Sequence, residues 1–295
     1  MIHRTLSTIG LWVIVGLVIY LGSCYSLTEQ AAFGVLALLV GAAQYEFYQI
    51  CNKINRNRRT NFTGIIAGFV FLFVLFFFAS ERLRANPLIT ALTFLFALHL
   101  LSLLRNPQQT PPLVRHLPNF YGFLYVPFML SPLVAIARME NGVLLNHSSV
   151  GLFYVIWVAV ATKFTDVGGL LVGVPFGKHK IAPTISPAKS WEGVVGGLFF
   201  SALASALYAW VCLNVFHIPF MLPTKAAILA LPLAIASVPS DLIESVFKRQ
   251  AGVKDSGSTI PGIGGALDLI DSLILTAPLA LVILSYGLEW AKSAW

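Results

Sequence analysis

Residues Val194 to Phe216 read VVGGLFFSALASALYAWVCLNVF. No charged side chain interrupts the run, and its length matches the roughly 20 residues that an α-helix needs to cross a hydrocarbon core about 30 Å thick. Such a segment has no polar face to offer water. In a bilayer it needs none, because a helix satisfies its own backbone hydrogen bonds. The stretch assigns the chain to the membrane.

Working outward, similar runs cover Ile9 to Ser26, Ala31 to Ile50, Phe62 to Ala79, Pro87 to Leu104, Phe120 to Ala137, Val150 to Leu171, Ala226 to Val246 and Ile270 to Gly287. Together they predict an all-α fold: a polytopic integral membrane helical bundle of about nine transmembrane helices. Composition agrees, with 57% hydrophobic and 11% charged residues and a mean hydropathy of +0.82, too little polar surface to cover a soluble globule. The runs are continuous and lack the ten-residue alternation of a membrane β-barrel. Cys24, Cys51 and Cys212 are scattered and offer neither a zinc spacing nor a disulfide framework. Residues 1–117 are read as an N-terminal transmembrane region of four spans, and 118–295 as a C-terminal catalytic transmembrane region with loops at 172–193 and 247–269.

Nine spans sort the connections into two alternating sets. One set, with the N-terminus, holds thirteen of the 19 Lys and Arg, against five in the other. The positive-inside rule therefore places the N-terminus and both long loops in the cytoplasm, the side that holds nucleoside triphosphates. For the Arg56 to Arg59 cluster, orientation and anionic-lipid contact are a sufficient account.

The loop from Ser245 to Ser272 reads SVFKRQAGVKDSGSTIPGIGGALDLIDS, a density of cations, carboxylates and glycines foreign to the rest of the chain. Cations suit phosphate, carboxylates a divalent metal and glycines a close backbone approach, which together suit a nucleotide handled at a membrane. Ser245 and Arg249 share a helix face at i, i+4. Lys254 and Asp255 follow, and then Gly262, Gly264 and Gly265 can expose N–H groups toward an anion. Asp268 and Asp271, three apart, fall on one face of a helix start. That arrangement suits magnesium, with helix capping as its rival. In the other loop, Ser186 to Gly193 reads as a helix entry with Ser190 as cap, Glu192 in the first turn and Lys189 at a phosphate seat. His179 is read there as a solvated side chain.

Five ionisable residues fall inside expected spans: Glu46, Lys163, Asp166, Asp241 and Glu244. Each is costly in hydrocarbon and so marks function or pairing. Lys163 and Asp166, at i, i+3, can neutralise each other. Asp241 and Glu244 are like charges that call for a proton or a cation. Ser237, Pro239 and Ser240 suggest a helix broken beside a polar cavity, with Asp241 facing Asp268 and Asp271.

The order Ser245-x-x-Lys248-Arg249, Lys254-Asp255-Ser256-Gly257 and Ile260-Pro261-Gly262-x-Gly264-Gly265-x-x-Asp268-x-x-Asp271 closely resembles the signature of phosphatidate cytidylyltransferases, the CDP-diacylglycerol synthases. Ile185 to Gly193 and Ser240-Asp241-Leu242 resemble that family's other recurrent segments. The resemblance implies transfer of a cytidylyl group from CTP to phosphatidate, giving CDP-diacylglycerol and pyrophosphate in phospholipid biosynthesis. It implies magnesium at Asp241, Asp268 and Asp271, with Asp255 near and potassium as a second ion. It makes Lys189, Lys248, Arg249 and Lys254 the phosphate-facing cations, with Ser186, Ser245, Gly262, Gly264 and Gly265 lining the nucleotide seat. Ile263 stands where the pattern has His, and Leu269 where it has Arg.

The partners expected are CTP, phosphatidate or a similar lipid phosphate, and the lipid bilayer of a bacterial inner membrane. No nucleic acid is expected, and assembly as a homodimer is left open. A transferase for another lipid phosphate, a transporter coupled through the buried charges, and an inactive relative are the alternatives.

Overall fold

The computed structural model describes residues 27–55, 62–78, 87–105, 107–109, 111, 114, 117–139, 150–257, 259 and 264–292. The first expected span, 9–26, lies outside them. Each of the other eight apolar runs forms helix: α1 Thr28–Ile54, α2 Phe62–Phe77, α3 Pro87–Ser102, α4 Pro118–Ala137, α5 Val150–Phe176, α6 Trp191–Asn214, α7 Pro223–Gln250, and a broken pair, α8 Ala266–Ile270 and α9 Leu273–Lys292. Six of these segments are long and apolar enough to cross a membrane, namely α1, α4, α5, α6, α7 and the α8–α9 stretch to Ser285. The protein is thus a polytopic helical membrane protein.

The run that opened the reading shows its environment directly. Along α6, Val195, Phe199, Leu203, Leu207 and Trp210 recur at helical spacing, and each is more than half exposed. An apolar stripe that wide on the outside of the bundle is a lipid-facing surface. The opposite face of α6 lies against α5, where a Cβ on Gly168 would come 2.6 Å from the Gly196 carbonyl oxygen. Only glycine allows backbones this close, and close backbones are how helices gain packing where lipid removes the hydrophobic drive.

Inside, Phe47 of α1, Tyr121 and Tyr125 of α4 and Phe247 of α7 form an aromatic cluster, with Phe47 and Tyr125 ring centroids 4.7 Å apart and Tyr125 and Phe247 5.3 Å apart. Helices from both sides of the division expected at residue 117 share it. α4 opens into a π turn over Leu124–Phe128, where Pro127 removes a backbone donor from the helical ladder.

Two local expectations change. The loop expected to begin at Val172 begins only after α5 ends at Phe176, and it carries an antiparallel hairpin, β1 Lys180–Ala182 and β2 Ser186–Ser190, within the otherwise helical chain. The hairpin folds onto the end of α7 because Ile185 buries itself against Leu242 and Val246. The helix break expected around Pro239 is absent, since α7 runs unbroken from Pro223 to Gln250. The break lies in the facing element, between α8 and α9, and Ser240 bridges to it: its hydroxyl donates to the Asp271 carbonyl and accepts from the Leu275 N–H at 3.1 Å.

Candidate functional site

α7 carries Asp241 and Glu244 on one face, and the turn between α8 and α9 brings Asp271 to them. One carboxylate oxygen from each of the three lies within 4.8 Å of the others. Glu244 is fully buried, and its Oε1 has no hydrogen-bond donor. Three carboxylates this close repel one another strongly in a medium of low dielectric. A divalent cation, which takes carboxylate oxygens and completes its shell with water and phosphate, relieves that repulsion. The residues present therefore fit magnesium.

Each member of the trio faces one lysine, and the three lysines come from different elements. Lys189, the penultimate residue of β2, places its ammonium 2.7 Å from Asp241 and donates to the Val238 carbonyl at 3.2 Å. Lys248, two residues before the end of α7, pairs with Glu244 one turn earlier and with Asp268 at 2.8 Å. Lys163 of α5 lies 3.7 Å from Asp271, donates to the Ser272 hydroxyl at 2.8 Å and meets Asp166 at 3.4 Å. Five carboxylates and three ammonium groups thus form one connected network.

Asp268 stands apart from the trio. The helical face expected to join it to Asp271 is only one turn long, because α8 stops at Ile270 and the chain turns before α9. Asp268 is instead a cap and a clamp: its Oδ2 accepts from the Gly265 N–H at 2.8 Å, the Ser256 N–H at 3.1 Å and the Ser256 hydroxyl at 2.9 Å. Through Lys248 it remains one ammonium away from Glu244.

The glycine segment is held by a residue from the far end of the chain. Glu46 of α1, 3% exposed, accepts from the Leu267 N–H at 2.8 Å, from the Ser256 hydroxyl at 3.1 Å and from the Thr259 hydroxyl. A Cβ on Gly265 would come 2.3 Å from the Glu46 carboxylate and 2.0 Å from the Ser256 hydroxyl, and Gly264 takes a φ of +123° that other residues rarely adopt. Sequence reasoning marked Glu46 and Glu244 as charges in the membrane but placed neither at the site. The signal for Glu244 was its i, i+3 spacing from Asp241. For Glu46 nothing local pointed to a loop two hundred residues away.

The remaining candidates fall outside this network. Ser190 caps α6 as expected, its hydroxyl accepting from the Gly193 N–H at 3.2 Å. Glu192, in the first turn, accepts instead from His179, whose Nδ1 lies 2.6 Å away. Ser186 opens β2, and Ser245 is buried on α7. Arg249 ties the hairpin to α7 by donating to the Ile185 carbonyl at 3.2 Å. Lys254 and Asp255 are exposed beyond α7, and Gly262 and Ile263 lie outside the described residues. The structure therefore gathers Asp241, Asp271, Lys189 and Lys248 at one centre. Asp268 stands beside them through Lys248, and Arg249, Lys254 and Asp255 lie outside that centre.

Residues 2–287 match the model of the Cytidylyltransferase family. A phosphatidate cytidylyltransferase of Haemophilus influenzae is 42% identical over 128 residues, which is 43% of this chain and 44% of that protein. One from Mycobacterium tuberculosis H37Rv is 36% identical over 144 residues, 49% of this chain and 42% of the relative. One from Staphylococcus aureus COL is 35% identical over 177 residues, 56% and 62% of the respective chains. The chain thus spans about half the length of the curated relatives it matches.

Proposed function

The chain belongs to the cytidylyltransferase family, and from that premise we propose that it transfers the cytidylyl group of CTP to phosphatidate, giving CDP-diacylglycerol and pyrophosphate. The observation that carries this reading is the buried trio Asp241, Glu244 and Asp271, with Lys189 and Lys248 reaching it from the loop side. A soluble triphosphate and a lipid phosphate can meet where a metal-fitting centre opens at the end of a membrane bundle.

In the proposed transfer a phosphate oxygen of phosphatidate forms a bond to the α-phosphorus of CTP, and the bond from that phosphorus to the bridging oxygen of the β-phosphate breaks. Negative charge grows on the departing pyrophosphate. Asp241, Glu244 and Asp271, with Asp268 nearby, would hold magnesium, which when bound would supply neutralisation of the nucleotide's negative charge. Lys189 and Lys248 now pair with these carboxylates. With a divalent ion sharing that charge, their ammonium groups would be available to the phosphates, since both sit near the ends of their elements, where a long side chain can reach outward. A phosphate monoester is already largely ionised near neutral pH, with a second pKa of about 6, so the attack needs placement and charge more than a base. The Ile263 departure is compatible with this chemistry.

The positive-inside assignment directs the mouth to the cytoplasm, where CTP is found. The test incubates purified protein with radiolabelled CTP, magnesium and phosphatidate, or with a panel of other lipid phosphates. Labelled CDP-diacylglycerol with stoichiometric pyrophosphate supports the proposal. A liponucleotide formed only from a different lipid phosphate redirects it to that substrate, as the Leu269 departure allows. No liponucleotide from any of them removes it.

A further inference from the structure

Three lysines face the carboxylate trio, and one of them differs in kind. Lys189 and Lys248 lie at the loop ends of their elements and can leave for a phosphate. Lys163 lies at the midpoint of α5, a helix of 27 residues that is long and apolar enough to cross the membrane. An ammonium there is costly unless it is paired or wet. Here it is paired, with the Lys163 side chain 24% exposed. Its contacts hold it in place: the Ser272 hydroxyl at 2.8 Å, Asp166 at 3.4 Å and Asp271 at 3.7 Å. Ser272 follows Asp271 directly, and its own N–H donates to the Asp271 carboxylate at 2.5 Å. Lys163 thus anchors the turn between α8 and α9 and keeps its ammonium beside Asp271.

We propose that Lys163 is a tethered cation of the ion centre: its ammonium fills the position beside Asp271 at which the trio would otherwise draw a second, free monovalent cation, so the centre takes a single divalent ion and works without potassium or sodium. The inference rests on the trio being the ion-holding centre of the proposed transferase. Charge decides it. When a divalent ion enters and Lys189 and Lys248 turn to the phosphates, Asp271 still keeps a counter-charge supplied by the protein. Lys163 is a positioning residue, since it acts on nucleotide only through Asp271 and the ion.

The experiment uses the purified full chain in detergent, in choline, potassium or ammonium chloride at equal ionic strength. It reads Mn2+ binding by electron paramagnetic resonance and, separately, pyrophosphate release. The wild type is expected to bind a single Mn2+ with the same affinity in all three salts and to turn over equally well in choline and in potassium. Lys163→Met is expected to take up a second, weaker Mn2+ in choline, displaced by ammonium or potassium. Its turnover should fall about a hundredfold in choline and recover in ammonium but not with more choline. A wild type that needs potassium for Mn2+ binding or turnover overturns the proposal, and this holds even if the variant does not fold. So does a Lys163→Met protein whose Mn2+ stoichiometry and turnover are the same in every salt, which would make Lys163 a structural ion pair only. If no nucleotide transfer is seen from any form, the transferase reading fails, while Mn2+ stoichiometry and its salt dependence still decide the role of Lys163.

Discussion

Leu267 donates its backbone N–H to the Glu46 carboxylate over 2.8 Å, although 221 positions separate the two residues. The bond fixes where α8 begins, and α8 in turn carries Asp268 and ends at the turn that presents Asp271. A helix from the first part of the chain therefore sets the position of a carboxylate in the last.

Removing that acceptor leaves two donors, the Leu267 N–H and the Thr259 hydroxyl, facing a buried gap, while the Ser256 hydroxyl keeps Asp268. Each unsatisfied buried donor costs about 1–3 kcal/mol, so Glu46→Ala is expected to lower the unfolding temperature clearly and to abolish most turnover. Glu46→Gln keeps one oxygen for the Leu267 N–H and the Ser256 hydroxyl and needs only the Thr259 hydroxyl to turn from donor to acceptor, so it should retain more of both. Thermal unfolding of the purified variants alongside turnover checks the order. Equal effects from the two substitutions would show that charge, and not acceptance, is what the loop requires.

Gly265 makes the same clasp sensitive to a single methyl group. Ala at this position would press against the Ser256 hydroxyl and the Glu46 carboxylate, whereas a Cβ on Gly34, in α1, meets nothing within 4 Å. Gly265→Ala should lose at least about 1–3 kcal/mol of stability, as overpacking of a filled site does, and Gly34→Ala should lose none. Paired measurements of melting temperature and turnover for the two variants distinguish a local clash from a general intolerance of alanine.

The four acidic candidates separate by what they hold. Glu244→Gln and Asp271→Asn remove charge from the trio and should weaken Mn2+ binding by more than tenfold, together with a loss of turnover of about a hundredfold or more. Asp241→Asn should do the same and also release Lys189. Asp268→Asn retains an acceptor for the Gly265 N–H but gives up charge toward Lys248. It should cost about 0.5–2 kcal/mol of stability, the range of a lost helix cap, while changing Mn2+ affinity little. Metal titrations of the four variants decide the assignment. Mn2+ affinity lost with Asp268 and kept with Glu244 would exchange their roles.

Much of this was legible along the chain. Apolar run length is a one-dimensional property, and eight of the runs became helices because hydrocarbon leaves a backbone no other partner than itself. The Ser190 cap was readable too, since a cap acts over three residues. The hairpin between α5 and α6 was not, because its strands are short and are kept by Ile185 packing on α7. Nor was the unbroken course of α7 past Pro239, where neighbours and not propensity hold the helix together.

For the site, the residue types and their crowding near Asp241, Lys248 and Asp271 were evident from the sequence, and so was the misfit of like charges at Asp241 and Glu244. The sequence by itself determined a membrane bundle with a cluster of acids and cations at one end, because hydropathy, charge and helical spacing are local quantities. Only the tertiary structure decided that Asp271 joins Asp241 and Glu244 while Asp268 turns to cap α8, that Lys163 faces Asp271, and that Glu46 holds the start of α8. The reason is physical: which charges meet depends on where distant helices pack and where one of them breaks, and both follow from burial and backbone satisfaction summed over the whole chain.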